Sequence, residues 1–269
     1  MSESLRKRIT TAAALIALLL VVLFGLPAFA TVLLLTVVVL MGAWEWSAFL
    51  KWTDPRARGA FVAVVGILLP VAWVVTRTPA GLEALLAAAL LWWLVALAWI
   101  VIAPRRVRPW SAALAGLLSL VPAWLALTHL RGTAHGAQWV LFALVLVWMA
   151  DIGAYFCGRR FGRRRLAPAV SPGKTWEGAL GGLAASGIVA LIGGAWFRLP
   201  LGPFLVLCLV AVAFSIVGDL TESLLKRFAG MKDSGTLFPG HGGVMDRIDS
   251  VTGAAPVLLL GLTFLGVLP

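Results

Sequence analysis

Apolar runs of about twenty residues recur along this chain, separated by short stretches carrying Pro, Gly, Lys or Arg. Runs of ~20 residues match the hydrocarbon thickness of a bilayer at the rise of an α-helix. About nine spans are predicted, near 9–26, 28–50, 59–76, 84–103, 110–129, 137–157, 176–197, 201–221 and 251–268. Their apolar residues lie all around the helical cylinder, where a soluble helix would keep a polar face. The expected fold class is therefore all-α, a polytopic integral membrane protein. The break at Leu26-Pro27 is so short that the first two spans read either as a hairpin or as a pair with one member partly re-entrant. No repeat of solenoid length is visible.

Composition agrees: 61% of the 269 residues are hydrophobic, 12% are charged, and the mean hydropathy is +1.01. Soluble domains are nearer half apolar and a quarter charged. The basic start followed by an apolar run resembles a signal peptide. No small-residue cleavage site follows it before the next span, so a retained first helix is expected. Cys157 and Cys208 lie in or beside spans, which excludes a disulfide framework and a CxxC metal site.

A net charge of +11 would suit a nucleic-acid partner, but the basic residues sit in short loops between spans, so no nucleic acid is expected. One set of loops carries Arg6 to Arg8, Lys51 to Arg58, Arg105 to Arg108, Arg159 to Lys174, and Lys226, Arg227, Lys232 and Arg247. The alternate loops carry only Arg77, Arg131 and Arg198. By the positive-inside rule, the N-terminus and the polar inserts are cytoplasmic and the C-terminus is outside. Two regions are expected. Residues 1–136 form a membrane scaffold for lipid access or oligomer contacts, compatible with a homodimer. Residues 137–269 form the catalytic region, with polar inserts at 158–178 and 222–250.

Acids are scarce, so their positions carry information. Glu45, Asp151, Glu177, Asp219 and Glu222 fall inside spans or at their cytoplasmic ends, where ionised groups face protein or water and mark function, unless they simply reach the interface. In "GDLTESLLKRF" a helix would align Asp219, Glu222, Ser223 and Lys226 on one face. Asp246 and Asp249 would share a face if the next helix starts early. Carboxylates converging with Lys and Arg suit a divalent cation bound together with a polyphosphate, and equally an internal ion-pair network. The glycines of "PGHGG" favour the first, since successive backbone N–H groups can form an anion nest.

The second insert holds "SPGKTWEG". It is a near miss to a phosphate-binding P-loop, because Pro168 stands where glycine is required and no strand is expected before it. Ser171 is predicted to cap a helix opening near Pro172, with Lys174 and Thr175 offering donors to an anion. The arginines from Arg159 to Arg165 read as topology signal and lipid-headgroup contact. His129 and His135 lack partners at metal-ligand spacing.

The run Ser223-x-Leu225-Lys226-Arg227, Lys232-Asp233-x-Gly235 and Phe238-Pro239-x-His241-Gly242-Gly243-Val244-x-Asp246-Arg247-Ile248-Asp249 resembles the signature of phosphatidate cytidylyltransferases. Asp151-x-x-Ala154-Tyr155-x-x-Gly158-Arg159 and Ser171-Pro172-x-Lys174-Thr175-x-Glu177-Gly178 are similar to further segments of that family. The latter pattern is shared with CTP-using polyprenol kinases. The resemblance covers roughly the C-terminal 120 residues. It implies that CTP and phosphatidate give CDP-diacylglycerol and pyrophosphate, with Mg²⁺ and room for a second cation, at the cytoplasmic face of a bacterial-type inner membrane.

Under that resemblance, Asp219 and Asp246 hold Mg²⁺, and Asp249 supports them or binds a second cation. Lys226, Arg227 and Arg247 grip phosphate oxygens, with Ser223 and Lys232 alongside. Gly240, Gly242 and Gly243 supply backbone donors and His241 a donor or loop order. Ser171, Lys174 and Thr175 hold either the nucleotide or the lipid phosphate. The lipid phosphate is already ionised near neutral pH, so no general base is expected. The rival readings are a CTP-dependent polyprenol kinase and, from another class, an ion-coupled transporter. The gathering of acids at the cytoplasmic ends disfavours transport.

Overall fold

The computed structural model describes residues 3–235, 237 and 242–268. Gly240 and His241 lie outside them. The chain runs α1 (Glu3–Leu20), a π-helical turn (Val21–Gly25), α2 (Ala28–Phe49), α3 (Pro55–Val75), α4 (Pro79–Ile102), α5 (Pro109–Arg131) and α6 (Gly136–Phe161). Then come β1 (Arg165–Ala167), β2 (Ser171–Thr175), α7 (Trp176–Trp196), α8 (Leu201–Ala229) and α9 (Met245–Phe264). Prolines open α3, α4 and α5, where a missing N–H costs nothing. Asp54 and Thr78 cap two of these starts by accepting from the Arg56 and Gly81 amides.

Among the described residues, the eight helices α2–α9 are long and apolar enough to cross a membrane. This is an all-α polytopic membrane protein. The first predicted span is not among those eight helices; its described apolar stretch is Ala13–Gly25. Its helix begins in the charged N-terminal segment and ends at extended Leu26 and Pro27. Arg131 of α5 closes this corner, donating to Thr31 Oγ1 at 3.0 Å.

The helices α5 and α9 are the most enclosed, and α5 packs on α2, α3 and α9. The closest helix pairs are α6 with α7 and α8 with α9. Small residues permit both, as usual where backbones approach inside a membrane. A Cβ at Gly153 would meet the Gly181 carbonyl at 2.6 Å, and one at Gly253 would run into the Phe214 carbonyl.

Three departures from the sequence reading shape the site. The all-α expectation omits the antiparallel hairpin of β1 and β2, in which Arg165 pairs with Thr175 and Ala167 with Ser171. Ser171 therefore does not cap a helix. Thr175 caps α7, its hydroxyl accepting from the Gly178 amide at 3.1 Å, because the hairpin keeps residues 171–175 extended. Helices also overrun the oily segments: α6 continues to Phe161, α8 to Ala229, and α9 starts at Met245. Gly230, at φ 74°, ends α8 in the left-handed conformation that favours glycine.

Candidate active site

A cavity of about 450 Å³ lies between α6, the hairpin, α7 and α8, with Asp151, Tyr155, Arg159, Lys174, Thr175 and Asp219 in its wall. Lys174 of β2 forms an ion pair with Asp219 of α8, so the first polar insert closes onto α8 just before the second. Ser223, one turn further along α8, places its hydroxyl 3.4 Å from the other Asp219 oxygen. Asp249 of α9 and Asp151 of α6 stand within electrostatic reach of Asp219. The close α8–α9 crossing brings this about: a Cβ at Gly218 would meet the Asp249 carbonyl oxygen at 2.5 Å.

Lys226 anchors a second group one turn below. Its ammonium donates to Glu222 at 2.8 Å and to Asp246 Oδ1 at 2.7 Å, and all three side chains are largely buried. The other Asp246 oxygen accepts from the backbone amides of Ser234 (3.0 Å) and Gly243 (2.9 Å). Gly242 has φ 79°, and a Cβ there would collide with the Asp246 carboxylate. Glu45 arrives from α2 and accepts from the Ser234 hydroxyl and from the amides of Val244 and Met245 at 2.8–3.0 Å.

Glu177, in the first turn of α7, accepts from the amides of Arg163 and Arg164 at 3.0–3.3 Å and so fixes the turn leading into the hairpin. Arg159 donates to the Tyr155 hydroxyl at 3.0 Å. Arg159, Arg160, Arg163 and Arg164 are exposed, as are Arg227, Lys232 and Arg247 on the second insert.

The structure thus brings Lys174, Thr175, Asp219, Ser223 and Asp249 together, and joins Lys226 to Asp246. Ser171 lies at the far end of β2, outside the cavity wall. The Gly243 amide, expected to face an anion, already donates to Asp246. The site also takes in Glu45, Asp151 and Glu222, acids expected to mark function but given no particular role. Their depth in spans was the available signal. The partners of Glu45 and Asp151 lie too far off in sequence for spacing to reveal them, whereas Glu222 meets Lys226 one turn along α8.

For a cation, no group of three or more His, Cys, Asp or Glu side chains among the described residues is arranged to hold a metal ion. Mg²⁺ does not need such a cage. It takes one or two carboxylates and completes its shell with water and substrate phosphates. Asp219 and Asp249 offer oxygen ligands of that kind. Glu222 lies against Asp249 and keeps Oε1 buried without a donor. Carboxylates pressed together beside an orphaned oxygen call for added positive charge, so the residues present fit the metal.

An all-α membrane bundle that gathers carboxylates, a lysine and a hairpin around one cavity at its polar end has the charged groups an enzyme for phosphorylated substrates needs. The chain matches the model of the Cytidylyltransferase family over residues 6–265, and it belongs to that family. Among curated proteins it is similar to a phosphatidate cytidylyltransferase of Pseudomonas aeruginosa, 44% identical over 94% of this chain and 95% of that protein. The protein of the same name from Haemophilus influenzae is 38% identical over 94% of this chain and 96% of that one. Its namesake in Brucella suis is 46% identical over 57% of each.

Proposed function

We propose that this chain transfers CMP from CTP to phosphatidate, giving CDP-diacylglycerol and pyrophosphate, at the cytoplasmic face of the inner membrane. One observation carries the reading beyond family membership: the Lys174–Asp219 pair joins the first polar insert, in the wall of a single cavity, to the part of α8 that leads into the second. That cavity opens among exposed arginines, whose charge attracts an anionic lipid and a nucleoside triphosphate alike.

An ionised oxygen of the lipid phosphate attacks the α-phosphorus of CTP. The new P–O bond forms as the bond to the β-phosphate breaks, and that electron pair leaves with pyrophosphate. Such a reaction depends on alignment and charge neutralisation, with little proton transfer. Lys174 is placed to neutralise phosphate at the cavity. Lys226, Arg227, Lys232 and Arg247 supply positive charge at the second insert. Asp219 and Asp249 are the residues that would hold Mg²⁺, which when bound offsets charge on the triphosphate and on the leaving group. Asp246 is assigned a different part from the one its sequence spacing suggests. Both its oxygens are engaged by Lys226 and backbone amides, so it holds Lys226 in place.

Purified protein in detergent micelles, supplied with CTP, phosphatidate and Mg²⁺, is expected to form CDP-diacylglycerol and pyrophosphate in equal amounts. Chelating the metal should stop turnover and restoring Mg²⁺ should recover it. Absence of a cytidine-containing lipid, or turnover indifferent to chelation, would contradict the proposal or its metal assignment respectively.

A further inference from the structure

Glu45 belongs to α2, in the half of the chain expected to be scaffold, yet its carboxylate ends among the backbone of the second polar insert. Its Oε2 accepts from Ser234 Oγ at 2.8 Å and from the Met245 amide at 2.9 Å, and its Oε1 from the Val244 amide at 3.0 Å. Gly235 and Gly243 press so close that a Cβ on either would strike the carboxylate. The insert is therefore gripped on both sides, before and after residues 236–241.

The residue is 9% exposed, and no Lys or Arg among the described residues pairs with it. A buried carboxylate lacking a cation is costly unless hydrogen bonds satisfy it. The start of α9 provides them, since the first amides of a helix have no partner of their own and carry partial positive charge. Among the described residues, three donors converge on the two oxygens and no acceptor bonds to them. Glutamine, although of the same shape, would turn an NH₂ group toward one of those N–H or O–H donors.

From Glu45 a continuous set of bonds leads to the reactive cluster. Ser234, held by Glu45, donates its amide to Asp246 and accepts from the Asp246 amide through its hydroxyl at 3.3 Å. Asp246 in turn binds Lys226. We infer that Glu45 is a positioning residue for CMP transfer: it clamps Ser234 and the start of α9 so that Asp246 presents Lys226 to the phosphates. The inference rests on the proposed cytidylyltransferase reading.

The test is steady-state kinetics of the whole protein in micelles with CTP and phosphatidate, beside thermal unfolding in the same detergent. Glu45→Gln is expected to lower kcat about 10- to 100-fold, the scale of a small misplacement of reacting groups, with KM for CTP within about threefold. Its unfolding temperature should stay close to that of the unchanged protein. Glu45→Asp keeps the charge and should recover part of the lost kcat. If Glu45→Gln does not fold, Ser234→Ala carries the test, because it leaves Glu45 its two backbone donors. A several-fold fall in kcat without a change in unfolding temperature is then expected. Unchanged kcat in the folded Gln variant, or failing that in Ser234→Ala, would overturn the inference while the unchanged protein still makes CDP-diacylglycerol. Loss of that product in the unchanged protein would instead overturn the reading on which the inference rests.

Discussion

At the scale of single residues, Lys174 and Asp219 bear most directly on the proposed chemistry. Each is about a quarter exposed, so their ion pair adds little to folding stability. Their value is that they meet at the cavity. Lys174→Met and Asp219→Asn should each cut turnover by about 100-fold or more while the unfolding temperature barely moves. The double variant should fall by much less than the product of the two, since both act on one bound phosphate group. Full additivity in steady-state rates would show that the two side chains work apart. Lys226 is different because its partners are buried. Lys226→Met leaves Glu222 and Asp246 without their cation, a change expected to cost about 3–5 kcal/mol. Thermal unfolding should register that loss before any assay of turnover does. The i, i+3, i+4, i+7 pattern of Asp219, Glu222, Ser223 and Lys226 was readable as a helical face, and α8 carries it as such. Glu45 was readable only as an acid in the wrong solvent, and Asp151 as that and as the start of a family-like segment. What they touch depends on which helices pack together, and no local spacing encodes that.

At the scale of elements, helix ends matter more than helix middles. Hydropathy locates the oily part of α8 and α9 but stops at the first charges, whereas the hydrogen-bond ladder continues through them. Asp219 and Asp249, the carboxylates proposed to hold Mg²⁺, consequently stand on helix and not on loop, which fixes their separation. The hairpin was missed for the opposite reason. Ser171, Pro172, Gly173 and Lys174 combine a capping residue and a helix-opening proline, and only pairing with β1 makes them extended. The close α8–α9 contact gives a prediction of its own. Gly253→Leu must push these helices apart, since even a Cβ there meets the Phe214 carbonyl. Overpacking of that kind costs about 1–3 kcal/mol. It should also separate Asp249 from Asp219, so that the folded fraction, isolated by size-exclusion chromatography, turns over far more slowly per molecule. Undiminished turnover in that fraction would mean that the crossing does not set the site.

At the scale of the whole molecule, the fold class and eight of the about nine expected spans follow from hydropathy, and the distribution of Lys and Arg predicts the sides. In a background with Cys157 replaced by Ser, a cysteine at Lys232 should react with a membrane-impermeant maleimide only when the cytoplasmic face is open to it. One at Arg198 should react only from the opposite face. The reverse pattern would turn the protein over and put the cavity on the wrong side for CTP. What the oily segments do not reveal is that α2 reaches the second polar insert: through Glu45, the region expected to be scaffold is joined to the one expected to be catalytic. The central claim is that this combined site moves CMP and not a terminal phosphate. CTP labelled separately at its α- and γ-phosphates, given with phosphatidate to the purified protein, tests it most directly. The account predicts α-label in the lipid and γ-label in pyrophosphate; γ-label in the lipid would contradict it.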